Sequence, residues 1–179
     1  MQFCMAFLFY IRSKNNLNAR ATSFIRLSRN PLKFSFYLLS KLPAAYFSGV
    51  RVKELNQEQS IVTVPYRWFT KNPFRSTYFA CLSMAAEMST GLLALMNIYN
   101  RDPKVSMLVT KVEGEFFKKA TGITTFICEE GKWITETIER CIVNGEAALI
   151  RVCSTGTNGK GEPIATFYIT WSFKASLKK

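Results

Sequence analysis

The chain has 179 residues, of which 48% are hydrophobic and 20% are charged, so one globular domain with a sizeable core is expected. It contains no histidine, which excludes a Ser-His-Asp triad, a Cys-His dyad, a His-ligated zinc site and a histidine general base. Proton transfer would therefore use a carboxylate, Tyr, Lys, Cys or an activated water. The five cysteines are widely spaced and form no Cys-x-x-Cys pair, which favours reduced, mostly buried thiols in a cytoplasmic protein and no metal site.

Positive charge is concentrated near the N-terminus. The formal net charge is +12, and nine of the 24 Lys and Arg residues precede the first acid, Glu54. Such a segment could bind nucleic acid, anionic lipid or a phosphate-bearing ligand, or it could be a solvated basic arm. The sequence has no interleaved aromatic RNA-binding signature and no zinc-finger spacing, so a nucleic-acid partner is not expected.

Residues 1–30 are predicted to form a leader or arm outside the folded domain. The apolar run from Met1 to Ile11 is too short to span a bilayer, which needs about 20 residues. A secretory signal carries its positive charges before the apolar core, whereas here they follow it, so export is not expected. A membrane-surface segment and an organellar transit peptide stay open as alternatives to an overlong N-terminus.

The first predicted element is a short helix that begins at Pro31 and ends before Pro43. Apolar residues recur in it near helical spacing, and we expect this face to pack on the domain. Those residues are Leu32, Phe36, Leu39 and Leu42. Two strands are predicted next, over residues 49–55 and 60–68. The second strand places four apolar side chains on one face, namely Val62, Val64, Tyr66 and Trp68.

A long helix is expected from Asn72-Pro73 to about Tyr99. Asn can cap a helix and Pro is tolerated in its first turn, while the sequence after Tyr99 supplies a stop. Small residues would let a sheet curl closely around this helix. They are Ala80, Ser83, Ala85, Ala86, Ser89 and Gly91. Glu87 is the one acid in this small and apolar surface, so it must be solvated, paired or used.

The C-terminal half is predicted to hold four strands, near residues 105–117, 122–128, 147–154 and 164–173. A short helix over residues 134–142 is expected between the second and third, with a hairpin at Asn144-Gly145 as the alternative. The last strand alternates most clearly, and its predicted core residues are Ala165, Phe167, Ile169, Trp171 and Phe173. The order of elements predicts an α+β domain, in which an antiparallel six-stranded sheet wraps around one long central helix.

These features resemble the hotdog superfamily, and within it the thioesterase-like branch that includes phenylacetic-acid-degradation thioesterases and an uncharacterised thioesterase-like group. The resemblance covers about residues 31–179, as a single domain. Its strongest element is the run from Asn72 to Gly91, where family members commonly show an Asn, a small-residue helix start and an acid nine positions after a His-Gly-Gly. Here Tyr78-Phe79-Ala80 replaces the His-Gly-Gly, and the acid is Glu87. The ending Trp171-Ser172-Phe173-Lys174 is similar to the uncharacterised group.

The resemblance implies a thioesterase that acts on acyl-CoA or an acyl carrier protein. Glu87 would activate water or attack the acyl carbon, Asn72 would position that water, and the amides near Phe79 and Ala80 would stabilise the oxyanion. The implied substrate-binding residues are Tyr78, Phe79, Ala80, Ser83, Thr90, Gly91, Lys118 and Lys119, the two lysines meeting the phosphates of coenzyme A. No cofactor is implied beyond coenzyme A as part of the substrate. The implied assembly is a homodimer with sites at the interface, with a tetramer as the larger alternative.

Other interpretations of these residues stay open. The alternative function is a non-catalytic protein that binds acyl chains or lipid, associated with a membrane surface through residues 1–30. Glu87 could be an ordinary solvent-facing Glu, Asn72 a helix cap, and the lysines a solvated face. Hotdog dehydratases and hydratases use a histidine, so their chemistry is not expected here. The large aromatic residues are expected to build the core, namely Trp68, Phe74, Phe116, Phe117 and Trp171.

Overall fold

The computed structural model describes residues 21–176, and the predicted apolar run from Met1 to Ile11 lies outside them. Residues 21–29 are helical (α1). Phe24 is fully buried, and its ring packs against Tyr37 at 6.2 Å and Tyr99 at 5.2 Å between centroids. This part of the predicted leader therefore packs on the domain.

Helix α2, Pro31–Lys41, begins as its sequence predicts, because the Asn30 side chain accepts a hydrogen bond from the Lys33 amide at 3.0 Å. The predicted core face is wrong. Phe34 and Leu38 are buried, and the residues predicted to pack on the domain are exposed, namely Leu32, Phe36, Leu39 and Leu42. This helix carries apolar residues on two sides, and helical spacing does not decide which side faces the core.

Six strands form one sheet in the order β1-β2-β4-β5-β6-β3, and every neighbouring pair is antiparallel. Their bounds are Arg51–Leu55 (β1), Ser60–Val64 (β2), Val105–Phe116 (β3), Thr124–Cys128 (β4), Ala148–Thr157 (β5) and Pro163–Ala175 (β6). The predicted α+β class and six-stranded antiparallel sheet are confirmed. The long strand β3 lies at one edge of the sheet.

Strand β2 is shorter than predicted. Val62 and Val64 are buried, but β4 begins opposite Val64, so the chain beyond has no strand partner in this sheet. Trp68 instead opens a 3-10 turn, Trp68–Thr70, and is 79% exposed. The Thr70 hydroxyl closes this turn by donating to the Pro65 carbonyl at 2.7 Å.

The central helix α4, Phe79–Ile98, packs against the strands of the sheet. The predicted small residues Ala85, Ala86, Ser89 and Gly91 are buried along it. Its length and composition would suffice to cross a membrane, but 67% of its most apolar window is buried inside the domain, as in the core helix of a globular protein. The helix begins later than predicted, since the residues from position 72 to 78 form a loop.

Two further helices complete the domain. Helix α3, Pro43–Phe47, starts at the proline that was predicted only to end α2. Helix α5, Gly131–Asn144, ends at Gly145 with a left-handed φ of 71°, so the predicted helix is confirmed and the hairpin alternative is wrong. In β6 the predicted inward residues are buried, namely Ala165, Phe167, Ile169, Trp171 and Phe173.

Candidate active site

Glu87 lies half-buried on α4, and within residues 21–176 its carboxylate has no hydrogen bond or ion pair. Burial without a compensating positive charge raises the pKa of this carboxyl group from its ordinary value of 4.5 to about 6. A carboxylate with a pKa near the working pH can accept a proton and is mostly ionised at neutral pH. Glu87 therefore has the properties of a general base or nucleophile.

Gly91 provides the space for this carboxylate. A Cβ at position 91 would lie 3.2 Å from Glu87 Oε1 and 3.2 Å from Cζ2 of Trp171. Both distances are tighter than ordinary van der Waals contacts, so any side chain at position 91 would crowd the acid against the indole. The absence of a side chain lets the carboxylate and the indole occupy the same stretch of the helix surface.

Thr90 links the helix to the sheet beside Glu87. The indole Nε1 of Trp171 in β6 donates to Thr90 Oγ1 at 3.0 Å, and that hydroxyl donates to the Glu87 carbonyl at 2.9 Å. The Thr90 hydroxyl is therefore committed to the protein, so it positions the helix and the indole. A second link joins Ser89 of α4 to Ser154 of β5 at 2.7 Å between their hydroxyl oxygens.

A double-mutant cycle on Trp171→Phe and Thr90→Val is expected to give a coupling energy of about 1 kcal/mol, the usual contribution of one hydrogen bond. Urea denaturation of the four proteins measures it. The energetic cost of the cavity that Trp171→Phe leaves cancels in the cycle, because it is the same with Thr90 and with Val at position 90. Trp133→Phe, at a position that is 65% exposed, is the control and should leave the free energy of unfolding unchanged. A coupling energy near zero would contradict a stabilising link.

Half-exposed side chains connect the start of α4 to Glu87. Ala80, Ser83 and Met84 are half-exposed, as Glu87 is, whereas most of the helix is buried. Their spacing places them along one side of the helix. This side therefore gives solvent, or a ligand, a path along the helix to the carboxylate.

The first turn of α4 keeps two amide donors available. The Cys81 and Leu82 amides donate to the Tyr78 carbonyl at 2.9 and 3.3 Å, while those of Phe79 and Ala80 have no acceptor in the part of the chain that the structure describes. Unpaired amides at a helix N-terminus are the donors used in oxyanion holes. Tyr78 and Phe79 lie beside them, with rings 46% and 56% exposed and in edge contact at 4.9 Å.

Asn72 does not cap α4, which contradicts the helix-cap interpretation. Its Oδ1 accepts hydrogen bonds from the Phe74 amide at 3.0 Å and from the amide and hydroxyl of Ser76 at 3.2 Å. These bonds fold the loop before the helix, because an Asn side chain can offer the backbone an alternative to a helical turn. Only the Nδ2 group of Asn72 is left to bind a water or a ligand.

The two predicted lysines differ in their surroundings. Lys118 forms an exposed ion pair with Glu162 at 2.7 Å. Lys119 instead reaches the loop before α4, with its Nζ 3.4 Å from the Phe74 carbonyl. The two loops are joined where the Thr77 amide donates to the Ala120 carbonyl at 2.8 Å. Lys119 is therefore the lysine placed beside the loop that leads to the helix start.

The predicted aromatic core is wrong at four of five positions. Trp171 is buried, but the other four are 51% to 79% exposed, namely Trp68, Phe74, Phe116 and Phe117. They lie in the segment before α4 and at the end of the edge strand β3, where no second layer formed by residues 21–176 covers them. The apolar character of a residue predicts that it is buried, but it does not show which part of the protein would cover it.

A single chain does not bring all the predicted groups together. Ala80 and Glu87 are seven residues apart on α4, and at 1.5 Å per residue the helix separates them by about 10 Å. A thioester carbonyl must lie about 3 Å from both its amide donors and the attacking group. This axial separation of the backbone positions favours donors and an acid that come from different helices.

One groove lies away from these residues. It has a volume of about 580 Å³ and runs between α5 and β5, with Trp133, Arg140 and Arg151 among its lining residues. No pattern in the sequence predicts it. Within residues 21–176 no three His, Cys, Asp or Glu side chains are grouped so that they could hold a metal ion.

The sheet around a long central helix is the hotdog fold, and solved thioesterase-family structures share it. A protein of unknown function from Pseudomonas aeruginosa, PA5026, described as a probable thioesterase, matches with a TM-score of 0.70 and 19% identity over 82% of this chain and 97% of that chain. PaaI from the phenylacetic acid degradation operon of E. coli matches with a TM-score of 0.58 and 12% identity, over 84% of this chain and 96% of that chain. A thioesterase family protein from Silicibacter pomeroyi matches with a TM-score of 0.58 and 15% identity, over 79% of this chain and 96% of that chain.

At the level of sequence, residues 33–172 match the model of a family described as a domain of unknown function, DUF4442. The chain belongs to the DUF4442 family. No protein of curated function matches it. The predicted hotdog fold is therefore confirmed.

Proposed function

We propose that this protein hydrolyses acyl thioesters and that Glu87 is its general base or nucleophile. The observation that carries the proposal is the half-buried, unpartnered carboxylate on α4, whose pKa is raised to about 6 by burial. Perturbed carboxyl groups next to space for a ligand are typical of catalytic sites. The thioesterase-family proteins that share this fold support the reaction class.

Two routes are compatible with such a carboxylate. As a base, Glu87 takes a proton from a water molecule whose oxygen attacks the acyl carbon, and the thiolate leaves. As a nucleophile, Glu87 attacks the acyl carbon, expels the thiolate and forms an anhydride that water then cleaves. Both routes need the ionised carboxylate, and both develop negative charge on the carbonyl oxygen.

The proposal includes a homodimer, because the backbone positions of Ala80 and Glu87 are about 10 Å apart along one helix. A second copy with its α4 running antiparallel would bring its own Phe79 and Ala80 amides towards Glu87 of the first. The edge strand β3 supports such an assembly. It is 12 residues long and exposes Leu108, Val112 and Phe116, and an exposed apolar sheet edge is usually covered.

The carrier of the acyl group is proposed to be coenzyme A or an acyl carrier protein, both of which present phosphate. Lys119 is the better phosphate partner of the two predicted lysines, since Lys118 is paired with Glu162. The exposed rings before α4 would then contact the acyl chain or the pantetheine arm.

One observation favours a second candidate, a non-catalytic protein that binds acyl chains. Tyr78 and Phe79 carry bulky side chains where related enzymes commonly have His-Gly, and their rings stand beside the amide donors. Close approach of a thioester to those amides is easier over glycine. In this case the site would hold an acyl chain without turning it over.

The experiment that tests the proposal measures thiol release from a panel of acyl-CoA substrates. We expect the wild type to hydrolyse at least one member. Phe79→Pro removes one amide donor, and the extended conformation of Tyr78, with ψ of 134°, suits a following proline. Because the Ala80 amide remains, kcat should fall by about tenfold, less than the usual loss of a whole oxyanion donor.

Phe79→Ala is the matched control, because it removes the ring and keeps the amide. Equal rates for Phe79→Pro and Phe79→Ala would show that this amide does not contact the reacting carbonyl. Binding of acyl-CoA by calorimetry without hydrolysis of any panel member would reject the enzyme and support the second candidate.

A further inference from the structure

We propose that helix α2 is a docking surface for an anionic lipid bilayer. The surface consists of the outward apolar side chains Leu32, Phe36 and Leu39 of α2, called here the outer stripe, and it is extended by the exposed Leu42 directly after the helix. Leu32 is 74% exposed and Phe36 is 71% exposed, and neither is covered by any part of residues 21–176. This inference is independent of whether the protein is an enzyme.

The outer stripe has the geometry of a surface-bound amphipathic helix. Leu32, Phe36 and Leu39 are spaced by four and three residues, so they lie within one narrow arc of the helix. A helix that lies in the plane of a membrane buries such an arc in the boundary between headgroups and acyl chains. Single exposed apolar residues are ordinary on a protein surface, but three on one arc are a patch.

The opposite side of α2 fixes the outer stripe in its outward orientation. Phe34 and Leu38 are buried, and the Phe34 ring stacks on Tyr37 at 5.6 Å. Tyr37 in turn packs against Phe24 of α1, which contacts Tyr99 at the end of α4. Rotating α2 to bury the outer stripe would expose this aromatic cluster, so the outer stripe cannot be covered by a simple roll of the helix.

Charge selects an anionic partner. Residues 21–50 carry four basic side chains and no acid, and all four are exposed, namely Arg26, Arg29, Lys33 and Lys41. Lys and Arg next to an embedded apolar face reach the headgroups of anionic lipids, and each contributes to binding near the surface. The chain as a whole has 24 basic and 12 acidic residues, so long-range attraction acts in the same direction.

A second copy of this chain fits the outer stripe less well. A symmetric interface places the same patch on both sides, so Lys33, which follows Leu32 on α2, would lie near its counterpart, and α2 contains no acid. Like charges that meet across an interface disfavour it, whereas an anionic bilayer compensates the same charges.

The test is co-sedimentation of the full-length protein with vesicles of phosphatidylcholine and phosphatidylglycerol in a roughly 2:1 ratio, and with phosphatidylcholine alone. Binding is expected to the anionic vesicles and to weaken in high salt. Leu32→Gln/Phe36→Gln should lower the partition coefficient at least about tenfold, because two large apolar side chains no longer enter the interface. Lys33→Gln/Lys41→Gln should lower it at least about fivefold for anionic vesicles.

Matched controls change the same residue types elsewhere. Val143→Gln/Leu149→Gln replaces two apolar residues that are 80% and 62% exposed, and Lys132→Gln/Lys160→Gln replaces two exposed lysines. Both control variants should bind anionic vesicles like the wild type. All altered side chains are exposed, so each variant should keep the wild-type melting temperature.

Three results would overturn the proposal. The first is absence of vesicle binding by the wild type. The second is unchanged binding by Leu32→Gln/Phe36→Gln, which would place the lipid contact elsewhere, for example in residues 1–20. The third is conversion of a wild-type dimer to a monomer by this variant with no effect on vesicle binding, which would make the outer stripe an interface between copies.

Discussion

Glu87→Gln is expected to lower kcat/KM for acyl thioesters by about 10² to 10⁴-fold, the usual contribution of a positioned proton acceptor. The amide cannot accept a proton from water and cannot attack the acyl carbon. It has nearly the same shape as the carboxyl group, so it should still fit over Gly91 beside Trp171. The loss would therefore reflect chemistry rather than folding, and thiol release under saturating and limiting substrate measures it.

The pH dependence of kcat/KM for the wild type tests the role of Glu87 in a second way. With a pKa of about 6 for Glu87, kcat/KM should rise about tenfold per pH unit below pH 6 and reach a plateau above it. Glu146→Gln is the control, because Glu146 is exposed after α5, and it should leave rate and profile unchanged. Equal turnover by wild type and Glu87→Gln would reject the role of this residue.

Glu87→Gln is also expected to raise the free energy of unfolding at neutral pH by about 2 kcal/mol. Burial holds the folded-state pKa of Glu87 at about 6, above its ordinary 4.5, so the folded state binds this proton more tightly than the unfolded state does. Wild-type stability therefore falls as pH rises from about 4.5 to about 6, and the loss persists above pH 6. The rise in the pKa of Glu87 from 4.5 to about 6 corresponds to about 2 kcal/mol, and Gln carries no charge to desolvate.

Urea denaturation at about pH 4 and about pH 7.5 measures this effect. The difference in stability between Glu87→Gln and wild type should grow by about 2 kcal/mol from the lower to the higher pH. Glu146→Gln should show no such growth. A constant difference at both pH values would mean that the folded state does not perturb the pKa of Glu87.

Activity lost and stability gained by one substitution would identify Glu87 as a residue kept for function. A carboxylate retained only for structure would stabilise the fold when ionised, and its neutralisation would cost stability. The opposite sign is typical of sites where a destabilising group is needed for chemistry.

The local sequence pattern was sufficient to predict those elements whose buried face or end is set by the spacing of their own residues. The strict alternation in β6 predicted its inward face, and Asn144-Gly145 predicted the end of α5, although the same two residues also suited a hairpin. The small residues of α4 predicted a helix inside the sheet because only such a helix permits close approach. Glu87 stood out for the same reason, as an acid in small and apolar surroundings.

The errors arise where tertiary partners decide. The position of helix α2 along the chain is predicted correctly. Its buried face, however, is set by ring contacts that involve Tyr37 and Phe24, and the spacing of apolar residues does not reveal these contacts. Trp68 was assigned to a strand although β4 offers it no partner. Asn72 before proline suits a helix start and an Asx turn equally, and the hydroxyl and amide of Ser76 decide between them. The bond between Trp171 and Thr90 joins distant parts of the chain, so no spacing rule finds it.

The close packing at Gly91 limits how related chains can vary. Because a methyl group there would stand 3.2 Å from both the Glu87 carboxylate and the Trp171 indole, Ala at this position requires a neighbour to retreat. A related sequence with Ala at position 91 should therefore carry Asp in place of Glu87, or a smaller ring in place of Trp171. Substitutions at positions 87, 91 and 171 are therefore expected to covary among related sequences.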